Sequence, residues 1–575
     1  MSAVRLAVIV LLSTLATLAS AQQGQVDLLI RNGVVYDGSG AAPVRADVAV
    51  DDGKVVAVGE LADQKAHAVL DAAGLAVAPG FINVLSWATE SLIYDGRAMS
   101  DVKQGVTLEI FGEGLSWGPL NEALREEILK TQTDVRYEIE WTSLGEYLEF
   151  LVRKGVAPNV ASFVGATTVR MHEIGYEDRR ATAEELDRMQ ALVRAAMREG
   201  ALGVGSSLLY APGVNADTEE LIALARAAGE YDGVYISHLR SEGDRFLEAL
   251  EELFTIAREA NVAAEVYHLK AAGERNWPKM REAIARIQAA REAGLQITAN
   301  MYPYTAAATG LDAAMPPWVQ EGGVDAWIDR LKQPEIRRRV IEEMRTPSAQ
   351  WESLYLAAGS ADKVRLIGFK SEKLKPLTGQ TLAQVAKARG VSPEDAAIDL
   401  VIEDRSRVAT AYELMSEAHV VLGLSQPWVS IGSDAEAPAP EGPFLLKNPH
   451  PRTYGSFARF LGRYVREQRV ASLPEAIRRI TSLPAKTFKL ENRGCLSPGC
   501  HADIVVFDPG AIADRATFDR PHRYASGVVH VFVNGVQVLR NGEHTGAMPG
   551  QVVRGPGWAG RQAESDQVPA ANSKR

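Results

Sequence analysis

The sequence predicts an α/β protein: a (β/α)8 TIM-like barrel, a small β-sandwich domain built from both termini, and an insertion over the barrel mouth. Three observations support this prediction. Short apolar runs alternate with amphipathic helical stretches through the middle of the chain, both ends are rich in strand-like runs, and one long segment interrupts the alternation. A chain of 575 residues also exceeds one compact core, so a large domain with a smaller partner is expected.

Eight candidate strands supply the eight units of the barrel. Between the fifth and the sixth, Phe246, Leu250 and Phe254 recur on one helical stripe, as expected for a helix that packs on a sheet. The parallel strands of such a barrel end at one face, and that face carries the chemistry. The candidate strands are residues 81–86, 106–112, 160–165, 201–206, 233–239, 263–269, 295–302 and 428–433.

Both ends of the chain, residues 22–77 and 488–552, are predicted to form the sandwich. Residues 27–36 are interpreted as two short strands around Asn32-Gly33, and Asn534-Gly535 marks a second hairpin. Asn-Gly is a strong hairpin signal because both residues tolerate a positive φ. The two blocks therefore predict one small domain shared by the two ends.

The barrel is assigned to residues 78–487, and residues 312–425 within it are assigned to the insertion. Helix-like pieces in the insertion predict an ordered element over the barrel mouth. It is interpreted as a lid or a substrate-specificity element, and a structural flap without ligand contact is the alternative. Residues 553–575 are polar and rich in Gly and Ala, and they are predicted to form a flexible tail.

Residues 1–21 have the pattern of a signal peptide. Arg5 precedes an uncharged apolar run over residues 6–18, and the small residues 19–21 form a cleavage site. The apolar run is shorter than the roughly 18 residues that a membrane span needs. We therefore expect a periplasmic or secreted protein without stable membrane insertion after cleavage, and an uncleaved anchor is the alternative.

Charge and cysteine content narrow the function classes. The formal net charge is −11 at pH 7 and no basic stripe is evident, which argues against nucleic acid as a partner. Cys495 and Cys500 are the two cysteines of the chain and flank a Ser-Pro-Gly turn. In an oxidising compartment they would pair across the turn, and two free thiols are the alternative.

Two histidines at neighbouring strand ends indicate a metal site. His238 ends the fifth strand and His268 ends the sixth, and one βαβ unit of about 30 residues separates them, so both should lie at the same height. Glu113 closes the second strand between two glycines that let the backbone turn. A carboxylate with two histidines is a catalytic zinc arrangement, in which the fourth position holds a water of pKa about 7. A loop carboxylate that contacts only backbone amides is the alternative for Glu113.

Asp434 ends the eighth strand in the segment IGSDAEA. A carboxylate at this position faces across the barrel mouth and could act as a general base or as a metal ligand. A helix N-cap for the following segment is the alternative.

These segments, taken together, resemble the N-acyl-D-amino-acid deacylase (D-aminoacylase) family of the amidohydrolase superfamily. The resemblance spans most of residues 27–550. It implies one tightly held zinc ion bound by Glu113, which stands at the family's usual Cys, with His238 and His268, and it implies that Asp434 is the catalytic carboxylate. The segments occur in the family's order: GVTLEIFGEGLSWGPL, GALGVGSSLLYAPG, ISHLRSEG, YHLKAAG, YPYTAAATGL, GSD, HPRTYGSF and ADIVVFDP.

The resemblance also implies a binding site for the substrate's free carboxylate at Lys270, Tyr302 and Arg452. Arg can bind a carboxylate through two parallel hydrogen bonds, whereas Lys supplies a point charge. Lys270 is two residues after His268, so on a regular strand both would face the barrel interior. A surface ion pair is the alternative for Arg452, and a core aromatic is the alternative for Tyr302.

The segment APGFINVLSWATES, residues 78–91, departs from the superfamily pattern PGFIDxHxH. Leu85 and Trp87 stand at the two histidines, which bind a second and weaker metal in the family, and Asn83 stands at the Asp. Asn300 likewise stands where the family often has Asp before YPYT. The resemblance therefore implies one metal ion at most.

The first hypothesis is an exported zinc-dependent amidohydrolase, with one zinc ion per chain, that cleaves N-acyl-D-amino acids or related small molecules with a free carboxylate. The D configuration is implied by the resemblance alone. The second hypothesis is an inactive amidohydrolase-fold binding protein, which Leu85 and Trp87 favour. A related dipeptidase or cyclic amidase is the third, and a homo-oligomer is compatible with each of them.

Overall fold

The computed structural model describes residues 25–348 and 350–560. The predicted signal peptide and residues 561–575 of the predicted tail lie outside the described residues. Among the helices of the described ranges, none is both long and apolar enough to cross a membrane.

The strands and helices alternate through the middle of the chain. The strands are β1 (Val26–Val35), β2 (Val44–Asp51), β3 (Lys54–Gly59), β4 (Ala66–Asp71), β5 (Ala76–Pro79), β6 (Phe81–Asn83), β7 (Val106–Phe111), β8 (Asn159–Ser162), β9 (Val164–Gly165), β10 (Gly203–Ser207), β11 (Val234–His238), β12 (Ala264–Val266), β13 (Ile297–Met301), β14 (Ala306–Gly310), β15 (Val364–Gly368), β16 (Ala409–Glu413), β17 (Val429–Ile431), β18 (Ile504–Phe507), β19 (Val528–Val533), β20 (Val536–Arg540) and β21 (Glu543–His544). The α-helices are α1 (Thr89–Tyr94), α2 (Met99–Val102), α3 (Glu122–Thr131), α4 (Leu144–Lys154), α5 (Ala166–Glu173), α6 (Ala183–Arg198), α7 (Thr218–Gly229), α8 (Phe246–Ala260), α9 (Lys279–Glu292), α10 (Gly323–Leu331), α11 (Pro334–Arg345), α12 (Leu354–Ala358), α13 (Leu382–Arg389), α14 (Pro393–Asp404), α15 (Glu417–Leu424), α16 (Arg452–Arg459), α17 (Leu473–Ile480) and α18 (Ser482–Thr487).

Two parallel sheets form the wall of the barrel, and each predicted strand overlaps an observed one. The first contains β6, β7 and β8, and the second runs in the order β9, β10, β11, β12, β13, β17. Phe163 lies between β8 and β9, and its backbone N donates to Phe111 O at 2.9 Å. At the other junction, Asp434 N donates to Leu85 O at 2.8 Å and Trp87 N donates to Ala435 O at 2.9 Å. These bonds join the last strand to the first, and the predicted α/β fold with a TIM-like barrel is confirmed.

Helix α8 shows how the sequence pattern sets the outer layer of the barrel. Its buried face includes Phe246, Leu250 and Phe254, which recur at helical spacing and pack into the main apolar core. The helix ends at Ala260 and is capped by Asn261, whose left-handed backbone (φ 53°) is a common helix terminator. The next strand, β12, then enters the barrel wall and carries the chain to His268.

Both ends of the chain meet in one nine-stranded sheet. Strand β5 pairs antiparallel with β18, with Val77 opposite Val506, so the amino-terminal and carboxy-terminal strands are hydrogen-bonded neighbours. The sheet is continuous, with the order β21-β20-β19-β18-β5-β1-β2-β3 and with β4 on β1, rather than two separate sheets of a sandwich. Its strands enclose an apolar cluster that includes Ile30, Val50 and Ile504.

The two Asn-Gly hairpin predictions have different outcomes. Asn534-Gly535 joins β19 to β20, as predicted. The prediction of a hairpin at Asn32-Gly33 is wrong, because β1 continues through it with a bulge between Ile30 and Gly33. Before the bulge β1 pairs with β4, and after it β1 pairs with β5. Asn32 has a positive φ (61°) in this bulge, and the bulge marks the point where β1 changes its hydrogen-bonded partner from β4 to β5.

The insertion has its own antiparallel sheet, β14-β16-β15, and its own apolar core with helices α10–α14. This sheet begins with β14, upstream of the predicted start at residue 312. Helix α15, near the predicted end, lies beside α9 in the outer layer of the barrel. Leu209 and Ala272, which follow β10 and β12, belong to the same apolar core. The insertion therefore packs on the loops of the barrel mouth.

Cys495 and Cys500 form a disulfide, with Cα atoms 6.1 Å apart, so the paired alternative holds in this structure. Residues 553–560, the first part of the predicted flexible tail, lie against the barrel. Val553 N donates to Val160 O, and Gly555 N donates to Gly200 O, both at 2.8 Å.

Candidate metal centre

Glu113 follows β7 and lies between two glycines with positive φ, Gly112 (109°) and Gly114 (72°). A Cβ at Gly112 would lie 2.4 Å from Phe163 O, and one at Gly114 would lie 2.5 Å from Ser207 Cβ. The loop can follow this path only because both positions lack a side chain. It places the buried Glu113 carboxylate in the barrel mouth.

The two histidines come from neighbouring strands, as predicted. His238 ends β11, and His268 follows β12 with a left-handed backbone (φ 34°) that is held by its N–H donating to Asn300 Oδ1 at 2.8 Å. The rings are almost perpendicular, at 88°, and their centroids are 4.5 Å apart. Both are buried.

Glu113 lies between the two imidazoles. Its Oε1 is 3.1 Å from His238 Nδ1 and 2.7 Å from His268 Nε2. Each of the three residues offers one ligand atom, and these three atoms all lie within 4.8 Å of one another. One carboxylate and two imidazoles form the donor set of catalytic zinc sites such as His₂Glu. The three side chains therefore offer the donor atoms and the proximity that one divalent ion requires.

Glu242 was missed by the sequence analysis. It lies in the loop after β11, and it meets both histidines on the ring nitrogens that do not face Glu113. Its Oε1 is 3.0 Å from His268 Nδ1, and its Oε2 is 3.7 Å from His238 Nε2. A carboxylate on the outer nitrogen is the usual support of a metal-binding histidine, because it fixes the tautomer and the ring orientation. Glu242 lies four residues after His238, but outside a helix that spacing does not place two side chains on one face, so it could not be identified from spacing alone.

The electrostatics of this group favour positive charge between the carboxylates. Burial and Lys270 act to lower the pKa of His268, but the charges of Glu242 and Glu113 outweigh them and raise that pKa to about 9. Burial would raise the pKa of Glu113, but the two histidines hold it well below its usual range. A divalent cation would satisfy the same carboxylates.

The residues predicted to bind substrate surround the ring of Tyr302. The guanidinium of Arg452 lies 4.6 Å from the ring centroid, and Lys270 Nζ lies 5.7 Å from it. Both cations already have buried partners, because Arg452 Nη1 is 2.7 Å from Asp434 Oδ2 and Lys270 Nζ is 2.6 Å from Glu242 Oε1. The Tyr302 hydroxyl is buried and has no hydrogen-bond partner within residues 25–348 and 350–560.

Asp434 follows β17 with a left-handed backbone (φ 50°), and its N–H is fixed by Leu85 O. Burial raises the pKa of its carboxyl, Arg452 opposes that shift, and Glu113 reinforces it. The carboxyl therefore holds a proton more readily than an exposed Asp does. This property suits a group that takes up a proton and later returns it.

The half-buried Trp87 and the buried Leu85 occupy the positions of the missing histidines. Trp87 Nε1 donates to Glu113 Oε2 at 2.8 Å, and Leu85 packs against Gly432, where a Cβ would lie 2.7 Å from Leu85 Cβ. Below them, Asn83 Nδ2 donates to three acceptors at 2.8–3.0 Å. These are the carboxylates of Asp101 and Glu109 and the hydroxyl oxygen of Ser433. Burial raises the pKa of both carboxyls in that network.

Comparison with known proteins identifies relatives over almost the whole chain. The amidohydrolase family model matches residues 154–539. The chain is 33% identical over 531 residues to a D-aminoacylase of Alcaligenes xylosoxydans xylosoxydans, a match that covers 92% of this chain and 97% of that protein. It is 32% identical, over 92% of this chain and 95% of the relative, to an N-acyl-D-aspartate deacylase of the same organism.

Solved structures give the same result. The N-acyl-D-glutamate deacylase of Bordetella bronchiseptica, in complex with zinc and a phosphonate inhibitor, matches with a TM-score of 0.76 and 32% identity, over 92% of this chain and all of that one. A D-aminoacylase crystal structure matches with the same TM-score and 31% identity, again over 92% and 100% of the two chains. The chain therefore belongs to the amidohydrolase family, in the branch that contains the D-aminoacylases, and is a hydrolase of carbon–nitrogen bonds in non-peptide amides.

Proposed function

We propose that the chain is an exported deacylase of N-acyl-D-amino acids that works with one zinc ion. The observation that carries the proposal is the convergence of Glu113, His238 and His268 on a space that fits one ion, beside Asp434. Relatives that match 92% of the chain act on N-acyl-D-amino acids, and this similarity supports the choice of substrate class.

Glu113, His238 and His268 would hold the metal, with Glu242 behind the two rings. When bound there, zinc polarises the amide carbonyl and lowers the pKa of water. The protein's contribution is to bring both imidazoles to one carboxylate, Glu113, and to hold the ring of His268 from its other side as well, by Glu242.

Asp434 would move the proton. It accepts a proton from water as the amide is attacked and donates it to the departing nitrogen. In the structure its partner is Arg452, so a substrate carboxylate that binds Arg452 would compete with Asp434 for the guanidinium. Substrate binding would thus free the base at the moment it is needed.

Arg452, Lys270 and Tyr302 would hold the substrate's α-carboxylate. The two cations lie on the ring of Tyr302 in a buried site, where charge-assisted hydrogen bonds are stronger than in water. The Tyr302 hydroxyl can donate a further hydrogen bond to the same carboxylate.

Export is part of the proposal. The apolar run at residues 6–18 with its small-residue cleavage site supports it. The Cys495–Cys500 disulfide supports it as well, because disulfides persist in oxidising compartments.

A panel of N-acetyl-D- and N-acetyl-L-amino acids tests the proposal on the zinc-loaded protein. We expect hydrolysis of D-substrates, and a loss of at least about 1,000-fold for His268→Ala because a ligand is removed. His67→Ala, at an exposed histidine of the terminal sheet, is the matched control and should leave the rate unchanged.

Leu85 and Trp87 favour a second candidate, a binding protein without activity. That candidate predicts a protein that binds N-acyl-amino acids, contains no metal and releases no product. Zinc-dependent turnover would exclude it.

A further inference from the structure

Trp87 contacts the candidate metal centre through its indole N–H. The two oxygens of Glu113 have different partners: Oε1 faces the two histidines, whereas Oε2 accepts the N–H of Trp87 at 2.8 Å. An apolar side chain that merely filled the space would leave Oε2 without this bond. The indole therefore does more than occupy a vacant position.

The indole is itself held in place by the barrel. The backbone N of Trp87 donates to Ala435 O at 2.9 Å, and that of Ser86 donates to Ile110 O at 2.9 Å. These bonds tie the segment after β6 to both neighbouring strand ends. The donor is thus fixed relative to Glu113, which itself follows β7.

Carboxylate orientation matters because the terminal torsion of Glu is broad and has no sharp staggered minimum. A free Glu113 could rotate and present either oxygen, or both, to an ion. The Trp87 N–H occupies Oε2 and leaves Oε1 directed at the histidines. The ring also stands beside Oε2, so a second cation could reach that oxygen only by displacing the indole.

We propose that Trp87 is a positioning residue of the metal centre: its N–H holds Glu113 as a ligand through Oε1 alone, and its ring keeps the site to one ion. The inference rests on the proposed zinc site. The segment that lacks the two histidines then contributes to metal binding without supplying a ligand of its own. Its contribution is the hydrogen bond from Trp87 to the ligand Glu113.

The test replaces Trp87 by 3-benzothienylalanine, an isostere with sulfur in place of the N–H, so that the volume is kept. Trp87→Phe is the second variant. Zinc affinity is measured by competition with a chromogenic chelator, and bound zinc is counted by mass spectrometry. Trp318→Phe is the matched control, because Trp318 Nε1 also donates to a carboxylate, Glu343, at 2.9 Å, but in the insertion.

We expect both position-87 variants to bind zinc about 10- to 100-fold more weakly than the parent, the usual effect of losing a group that orients a ligand. Trp318→Phe should bind zinc as the parent does. Parent and Trp318→Phe should bind one ion in excess zinc, whereas Trp87→Phe should admit weak binding of a second.

An isostere with zinc affinity within twofold of the parent would overturn the inference and leave the proposed function intact. A parent that binds no zinc would overturn both. Thermal unfolding of the metal-free proteins checks folding, and the isostere keeps the test valid if Trp87→Phe does not fold.

Discussion

Each histidine of the candidate metal centre contacts Glu113 through one ring nitrogen. The other nitrogen of His268 lies 3.0 Å from Glu242 Oε1 and 2.7 Å from Lys270 Nζ, whereas that of His238 lies 3.7 Å from Glu242 Oε2, beyond hydrogen-bond distance. The contacts on both nitrogens of His268 hold its ring plane. At the residue scale, the site is therefore organised before any ion or substrate binds.

Arg452 is the residue whose replacement separates substrate binding from metal binding. Arg452→Lys keeps the charge but loses the planar fork that can grip a carboxylate. We expect KM for the D-substrate to rise about 10- to 100-fold, from a loss of roughly 1.5–3 kcal/mol in charge-assisted hydrogen bonding, with unchanged zinc content.

Arg463→Lys is the control for this variant, because Arg463 lies on the next turns of the same helical region and pairs with Glu417 instead. Steady-state kinetics and zinc counting provide the two readouts. An unchanged KM for Arg452→Lys would remove Arg452 from the substrate site.

The order of the chain made some of these residues predictable and others not. His238 and His268 could be assigned because a βαβ unit has a characteristic length, and Glu113 because a motif placed it. Glu242 and the indole bond of Trp87 could not be assigned, since they depend on which loops meet across the barrel mouth. The spacing of residues along the chain does not show which loops contact each other there.

At the scale of elements, three Asn-Gly pairs in one sheet differ in whether the chain reverses direction at them. Asn534-Gly535 and Asn541-Gly542 connect β19–β20 and β20–β21, whereas Asn32-Gly33 forms a bulge inside β1. The local signal predicts positive φ in all of them, and it is right each time for the Asn. Whether the chain reverses is decided by the partner strands, here β4 and β5, which lie far along the sequence.

Alanine substitution at two of these glycines separates backbone strain from packing. Gly535 and Gly542 both have φ +80°, but a Cβ at Gly535 would lie 2.8 Å from Gly53 Cα, whereas one at Gly542 meets nothing within 4 Å. Gly542→Ala should cost about 1–2 kcal/mol, the penalty of a left-handed L-residue.

Gly535→Ala should lower the free energy of unfolding by clearly more than Gly542→Ala, because backbone cannot move aside as a flexible side chain can. Urea unfolding of the two variants and the parent measures the difference. Equal losses would mean that the approach of the β2–β3 turn to the β19–β20 turn is not tight.

Glu265, on β12 below the metal centre, makes the stability of the protein depend on pH. Burial raises its pKa to about 7, although the hydroxyl of Thr298 and the amide of Asn300, at 2.6 and 2.8 Å, act to lower it. The folded pKa is above the unfolded value of 4.5, so the folded state binds more protons between these pH values. Stability should therefore fall as pH rises from about 4.5 to 7.

Glu265→Gln removes this titration. Relative to the parent, its free energy of unfolding should increase between pH 5 and pH 8, by up to about 3 kcal/mol. Urea unfolding at both pH values tests this, with the exposed Glu259→Gln as control. A difference between variant and parent that does not change with pH would show that Glu265 does not titrate in this range.

At the scale of the whole molecule, the first barrel strand connects the parts of the site. The segment after β6 donates from Trp87 to Glu113 and accepts the N–H of Asp434 at Leu85 O, and the sheet that precedes it joins both ends of the chain. The fold was predictable because its strands alternate with helices in a regular order. The limits of the insertion were not, since its β14 begins within the segment that follows β13.

Zinc titration of the metal-free protein tests whether one bound ion is sufficient for hydrolysis. Hydrolysis of an N-acetyl-D-amino acid is followed while bound zinc is counted by mass spectrometry. We predict that the rate rises in proportion to bound zinc and levels off at one ion per chain. Full activity without metal, or a rate that requires two ions per chain, would contradict a one-zinc deacylase.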